Sequence, residues 1–300
     1  TETRDVQLIK NNVDAHFGWI NGIALDDNDR LFVSDGKMDD VLVFNPMHKA
    51  EGVIKEGLVD PNGLAIDTEN RLLYVVDTQQ DQVLVYDADT YKLLRRIGTG
   101  GKKHSLTTPG DFAAPTNVAV DGDGNVYVTD TLNDRVEIFD AGGNFISTFG
   151  KDCDAPGCFE RPKGIAVDDD GNIWVADAMM DRLQILNRQG QVEMVVGGHG
   201  TLPSQFSDLV GVGFDKVRHR IFTTEQYPGR VQEFRYVTEE EVRAEKERAG
   251  KERQKQNANA KAAAETVVQP EETQSPKAPV GGQQPAEKSA PVGAQPPATK

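Results

Sequence analysis

Positive charge is what this sequence has too little of. Its 33 lysines and arginines stand against 48 aspartates and glutamates, a formal net charge of −15. From residue 239 onward ten acidic residues meet ten basic ones, so the whole excess lies upstream. Binding phosphates needs a basic face, and no nucleic-acid partner is expected. Such a body favours basic partners, cations or plain solubility. Long apolar runs are missing as well. No stretch of 18 apolar residues occurs, so no membrane span is expected.

Cysteine is scarce. Only Cys153 and Cys158 occur, in the segment DCDAPGC. Without a second pair a zinc-ribbon site is not expected, and without C-x-x-C-H there is no covalent haem site. The spacing, with Pro156 and Gly157 between, suits a small disulfide-closed loop in an oxidising compartment. The alternative is two free loop thiols in a reducing one. No G-x-S-x-G, H-E-x-x-H, P-loop or G-x-G-x-x-G on a βα unit is present. GTGGKKH at residues 98–104 has glycines and lysines but no helix pattern after it, and it reads as a loop. A chain that begins at Thr1 without Met or a visible signal peptide reads as a processed form or a fragment.

What is abundant is repetition. The string GIALD at Gly22 returns as GLAID at Gly63, NVAVD at Asn117, GIAVD at Gly164 and GVGFD at Gly211. The intervals are 41, 54, 47 and 47 residues by subtraction. Each string is a short apolar strand closed by an acid: Asp26, Asp67, Asp121, Asp168 and Asp215. A second strand follows and ends nine or ten residues later at Asp35, Asp77, Asp130, Asp177 and Glu225. In the clearest unit, residues 162–197, four such runs are separated by Asp/Gly/Asn turns. That is a four-stranded antiparallel meander, which must stack on copies of itself to bury both faces. The period predicts an all-β propeller spanning residues 1–237. The last repeat has three strands and no fourth. The strand-type run at residues 6–9 is expected to supply it and close the ring. Residues 238–268 read as a charged helix with Thr238 as its cap, and residues 269–300 as a disordered Pro/Gln/Ala-rich tail.

The blocks PTNVAVDGDGNVYVTDTLNDRVEIFDAGGNFISTFG and PKGIAVDDDGNIWVADAMMDRLQILNRQGQVEMVVG resemble NHL repeats. The resemblance implies a six-bladed propeller, against the five repeats that are visible. The ending RVQEFRYV with a charged helix and a Pro-rich tail is similar to bacterial envelope proteins of that class. Several of those are encoded near multihaem cytochromes, which implies a periplasmic or cell-surface setting and a redox protein as one kind of partner.

Several residues invite a chemical reading. The small residue of strand one, Ala24, Ala65, Ala119, Ala166 or Gly213, is expected to be packing near the channel. The paired acids are expected to fix turns, and Arg135, Arg182 and Arg230 to pair with neighbouring acids or carbonyls. The DGDGN string at residues 121–125 resembles part of a calcium loop but lacks its closing Glu. Asn21, Asn62, Thr116, Lys163 and Val210 precede the inner strands and are expected to line one mouth as a binding rim. The loops around Lys103 and His104, residues 153–159 and residues 199–206 extend that rim. His16, His104 and His199 lie upstream of inner strands, and convergence would make a zinc site. The resemblance adds that NHL-like peptide-amidating lyases use such a constellation, although the offsets here, six, thirteen and twelve residues, are unequal.

The expectation is therefore a non-catalytic binding propeller with no required cofactor, calcium and zinc being the two metals its residues offer. The alternative is a metal-dependent lyase or lactonase-type hydrolase at the channel mouth.

Overall fold

The computed structural model describes residues 17–100, 105–215, 220–235, 237 and 239–266. The chain divides into two units, Thr1–Val237 and Thr238–Lys300.

The first unit is five antiparallel sheets in chain order, the blades of a propeller. Blade one holds β1 (Ile20–Leu25), β2 (Leu31–Asp35), β3 (Asp40–Phe44) and β4 (Ala50–Ile54). Blade two holds β5 (Pro61–Asp67), β6 (Leu72–Asp77), β7 (Gln82–Asp87) and β8 (Leu93–Ile97). Blade three holds β9 (Pro115–Val120), β10 (Val126–Asp130), β11 (Arg135–Phe139) and β12 (Phe145–Phe149). Blade four holds β13 (Pro162–Val167), β14 (Ile173–Asp177), β15 (Arg182–Leu186) and β16 (Val192–Gly197). Blade five holds β17 (Leu209–Asp215), β18 (Arg220–Glu225) and β19 (Arg230–Arg235). The run at residues 6–9, expected as its fourth strand, lies outside the described residues.

Each blade stacks on the next, so the middle strands of blades one to four are buried on both faces and are largely apolar, whereas β18 and β19 of the last blade alternate in exposure. One large aromatic of the second strand, Phe32, Tyr74, Tyr127 or Trp174, fills each interface. A second filler comes from the connection between blades. Leu58, Phe112, Phe159 and Phe206 each sit five residues before the strand-one residue that aligns with Gly22, and all are buried. Blade one differs on its outward side. Ile23 is 66% exposed and Leu25 64%, whereas the residues aligned with Ile23, namely Leu64, Val118 and Ile165, are 7%, 2% and 4% exposed.

The second unit contributes α1 (Glu239–Thr266). Its described side chains are exposed, in keeping with a sequence that has no apolar stripe. Thr238 and the tail lie outside the described residues. Among the described residues no helix is long and apolar enough to cross a membrane.

Candidate functional site: the loop-bearing end

Strand alternation sends the first and third turns of each blade to one end of the sheets. The middle loops and the blade-to-blade connections go to the other. The strand-one acids organise the first end. Asp121 accepts from the amides of Asp123 and Asn125 at 3.0 and 2.9 Å, from Asn125 Nδ2 at 2.9 Å and from the Tyr127 hydroxyl at 2.8 Å. Asp168 repeats this with Asp170, Asn172 and the Trp174 indole. Burial pushes the Asp121 carboxyl up, but these donors outweigh it and hold it below the usual range. The Asp121 carboxylate thus fixes its own turn.

The strand-two acids organise the loop-bearing end. Asp177 accepts from the amides of Glu160 and Arg161 in the incoming connection and of Met179 and Met180 in its own loop. Asp35 does the same with Gly18, Trp19, Lys37 and Met38. Each acid fastens two loops together. The third-strand arginines complete the clasp. Arg135 Nε meets Asp130 at 2.7 Å, and its Nη1 donates to the Leu106 carbonyl at 2.9 Å. Arg182 reaches the carbonyls of Asp154, Ala155 and Cys158. Cys153 and Cys158 are bonded to each other, with Cα atoms 5.2 Å apart.

The expected rim positions have one feature in common. Asn21, Lys163 and Val210 are each the extra residue at a β-bulge where the inner strand meets the second strand, and Asn62 and Thr116 fall in the matching register shifts. A bulge re-aims a side chain. Here it aims several at the next blade: Asn21 donates to the Pro61 carbonyl at 3.0 Å and Thr116 to the Lys163 carbonyl at 3.1 Å. Asn62 donates to Thr78, whose hydroxyl goes on to the Pro115 carbonyl at 2.8 Å. Lys163 Nζ stands 4.0 Å from Asp208. His199 projects into solvent with its Nδ1 2.6 Å from Asp181 Oδ2. His16 and His104 lie outside the described residues, and among the described ones no three His, Cys, Asp or Glu gather as a metal set.

Two features here escape a reading of the sequence. The first is a cavity of about 460 Å³ at blade three and its two flanking connections, lined by Leu106, Leu132, Asp134, Arg135, Lys151 and Asp152 among others. Burial, with the charges of Asp152, Asp177 and Glu160, pushes the Asp134 carboxyl up to about 6. The second is a scatter of exposed apolar side chains on the loops of this end: Met38, Leu106, Leu132, Met179, Leu202 and Tyr227, from 42% to 74% exposed. Their signal was available. Leu132, Met179 and Tyr227 each stand two residues after a strand-two acid, in the loop that follows it.

A profile for the NHL repeat matches residues 159–186, and one described as "SMP-30/Gluconolactonase/LRE-like region" matches residues 21–153. Together with the repeats, these matches support an NHL-repeat β-propeller family. This NHL propeller is 29% identical to the "Probable peptidyl-alpha-hydroxyglycine alpha-amidating lyase pgal-1" of Caenorhabditis elegans, over 45% of each chain. It is 26% identical to "NHL repeat-containing protein 2" of Bos taurus, over 45% of this chain and 19% of that protein. The match thus spans less than half the length of either curated relative. Among solved structures, hydrazine synthase of Kuenenia stuttgartiensis superposes with a TM-score of 0.53 at 15% identity, over 77% of this chain and 70% of that one. A streptogramin B lyase does so with a TM-score of 0.51 at 13% identity, over 73% and 70%. At such identities the likeness is one of fold.

Proposed function

We propose that this NHL propeller is a non-catalytic binding protein of the bacterial cell envelope, and that its loop-bearing end holds a basic protein partner. The observation that carries the reading is the set of exposed apolar side chains, Leu106, Leu132, Met179, Leu202 and Tyr227, on the loops of one end. Exposed apolar groups on rigidly held loops are usual anchors of an interface. The acidic body supplies long-range attraction for a cationic partner, a cytochrome among them. The bonded pair Cys153–Cys158 supports an oxidising, extracytoplasmic setting.

The test is capture from a bacterial envelope extract with three proteins in parallel. These are the wild type, a Leu106→Asp/Leu132→Asp/Met179→Asp variant, and a Met47→Asp control at the opposite end. The reading expects a partner that the wild type and the control retain and the triple variant loses, with retention weakening as salt rises. Equal retention by all three removes it.

A second reading, a metal-dependent lyase or lactonase-type hydrolase, is supported by the His199–Asp181 contact, which orients one imidazole nitrogen outward. The likeness to the lyase relative and to the gluconolactonase-like profile supports it too. Elemental mass spectrometry of protein purified without chelators tests it, together with turnover of lactones and of a peptidyl-α-hydroxyglycine. Near-stoichiometric zinc or iron with turnover lost in His199→Ala would place this reading first. No metal and no turnover would remove it.

A further inference from the structure

Three connections between blades are gripped in the same way, and one grip differs by a single atom. In blade four, Gln184 accepts the Gly157 amide at 2.8 Å on Oε1 and donates from Nε2 to the Cys158 carbonyl at 2.7 Å. In blade five, Gln232 accepts the Ser204 amide at 3.1 Å and donates from Nε2 to the Gln205 carbonyl at 2.8 Å. The amide bound is always two residues before the buried Phe of the connection, and the carbonyl one residue before it. Blade three has Glu137 at this place. Its Oε2 accepts the Gly110 amide at 2.9 Å, two residues before Phe112, as the pattern requires. Its Oε1 takes the part of the glutamine NH2, whose partner in this pattern would be the Asp111 carbonyl, and it has no hydrogen-bond partner although the side chain is fully buried. The Asp111 carbonyl takes Asn133 Nδ2 at 3.2 Å and Arg135 Nη2 at 3.4 Å.

Two acceptor oxygens cannot satisfy each other. The surroundings do not favour a second negative charge either. Asp130 of β10 is fully buried, and Asp111 in the connection is nearly so. The one cation beside them, Arg135 of β11, is taken by Asp130 at 2.7 Å and by the loop carbonyls. Arg135 Nη1 stands 3.2 Å from Glu137 Oε1 as an ion-pair contact. A neutral carboxylic acid resolves the arrangement, because its O–H can donate where the glutamines use N–H.

We propose that Glu137 carries a proton in the closed form of this connection, donates it to the Asp111 carbonyl, and loosens residues 105–113 when it ionises. Burial pushes the Glu137 carboxyl up to about 6, with Asp130 and Asp111 adding to the rise while Arg135 and the Gly110 amide work against it. A group raised in the folded state lends stability that is complete below its unfolded value, and that stability is lost as pH rises through the folded one. The connection is therefore latched in acid and released toward neutrality. Because it carries Leu106, one wall of the cavity, the device makes the loop-bearing end sensitive to pH.

Hydrogen exchange of residues 105–113 in the full chain, corrected for intrinsic rates from about pH 4 to pH 8, tests this. The wild type should lose protection as pH rises from 4.5 through about 6, by up to about tenfold per pH unit for one proton, and level off above. Glu137→Gln should hold its protection flat. The reciprocal change Gln184→Glu should move the same dependence into residues 153–158. A flat wild-type profile overturns the proposal, and so does an unaltered slope in Glu137→Gln.

Discussion

Glu225 and Arg230 form a two-pronged ion pair between β18 and β19, with Nε to Oε1 at 2.8 Å and Nη2 to Oε2 at 2.7 Å. The same carboxylate takes the Ser207 amide and Gln232 Nε2, so one buried acid joins the last blade to its incoming connection. Burial pushes Glu225 up, but Arg230, Gln232 and the Ser207 amide outweigh it and hold it below its usual range. Its stabilising effect is therefore present above the unfolded value and lost as pH falls through the folded one. Glu225→Ala should destabilise by about 2 kcal/mol at neutral pH, since it removes charge-assisted bonds and leaves buried donors unmet. Urea unfolding at pH 7 and pH 3.5 should show that penalty shrinking in acid.

Gly164 has no room for a side chain. A Cβ there would lie 2.7 Å from Gly211 Cα and 2.8 Å from the Val210 carbonyl, both backbone atoms of the neighbouring inner strand. Gly164→Ala must push blades four and five apart and should cost roughly 1–3 kcal/mol. A lowered urea midpoint at unchanged slope would bear this out. A midpoint equal to the wild type would show that the inner strands yield freely.

Asp134 should give the protein a second pH dependence. Its carboxyl is pushed up to about 6 from an ordinary 3.8 by burial and by the acids around it. Stability should therefore decline as pH rises through that interval, and Asp134→Asn should flatten the decline. Melting temperatures of both proteins from pH 4 to pH 7 should converge in acid and separate at neutrality, the variant melting higher. A variant that melts lower at pH 7 would mean that the carboxylate makes a favourable contact.

The disulfide closes a very short loop, so its contribution should be modest. The chain-entropy relation gives about 2 kcal/mol for a ring of this size. Arg182 and Gln184 hold the same loop through its carbonyls without it. Cys153→Ser/Cys158→Ser should fold, retain the Phe159 packing and melt several degrees lower. Its calorimetric melt beside that of the wild type measures the difference.

How much of this was legible in the residues follows from the distances over which each feature is decided. The repeats, the turns and the disulfide were readable because each depends on neighbours a few positions apart. Asp168 fixes its turn with Asn172 four residues on, and Cys153 meets Cys158 five residues on. The two acids per blade and the third-strand arginines were likewise readable as clasps, although their partners were not. The place of residue 163 and its equivalents just before the inner strands was readable, but only the bulge decides that Thr116 turns its hydroxyl onto the Lys163 carbonyl 47 residues away. The cavity needed Leu106, from the connection entering blade three, to come beside Leu132 and Lys151 at the far side of that blade. The environment of Glu137 needed Asp111 to arrive from 26 positions upstream with its carbonyl turned inward. The sequence by itself determined that four-stranded units would form and must stack, because a single sheet with apolar side chains on both faces cannot bury them alone. Tertiary structure alone decided which groups face one another across each interface. That follows from strand register and bulges, which a one-residue slip would reverse.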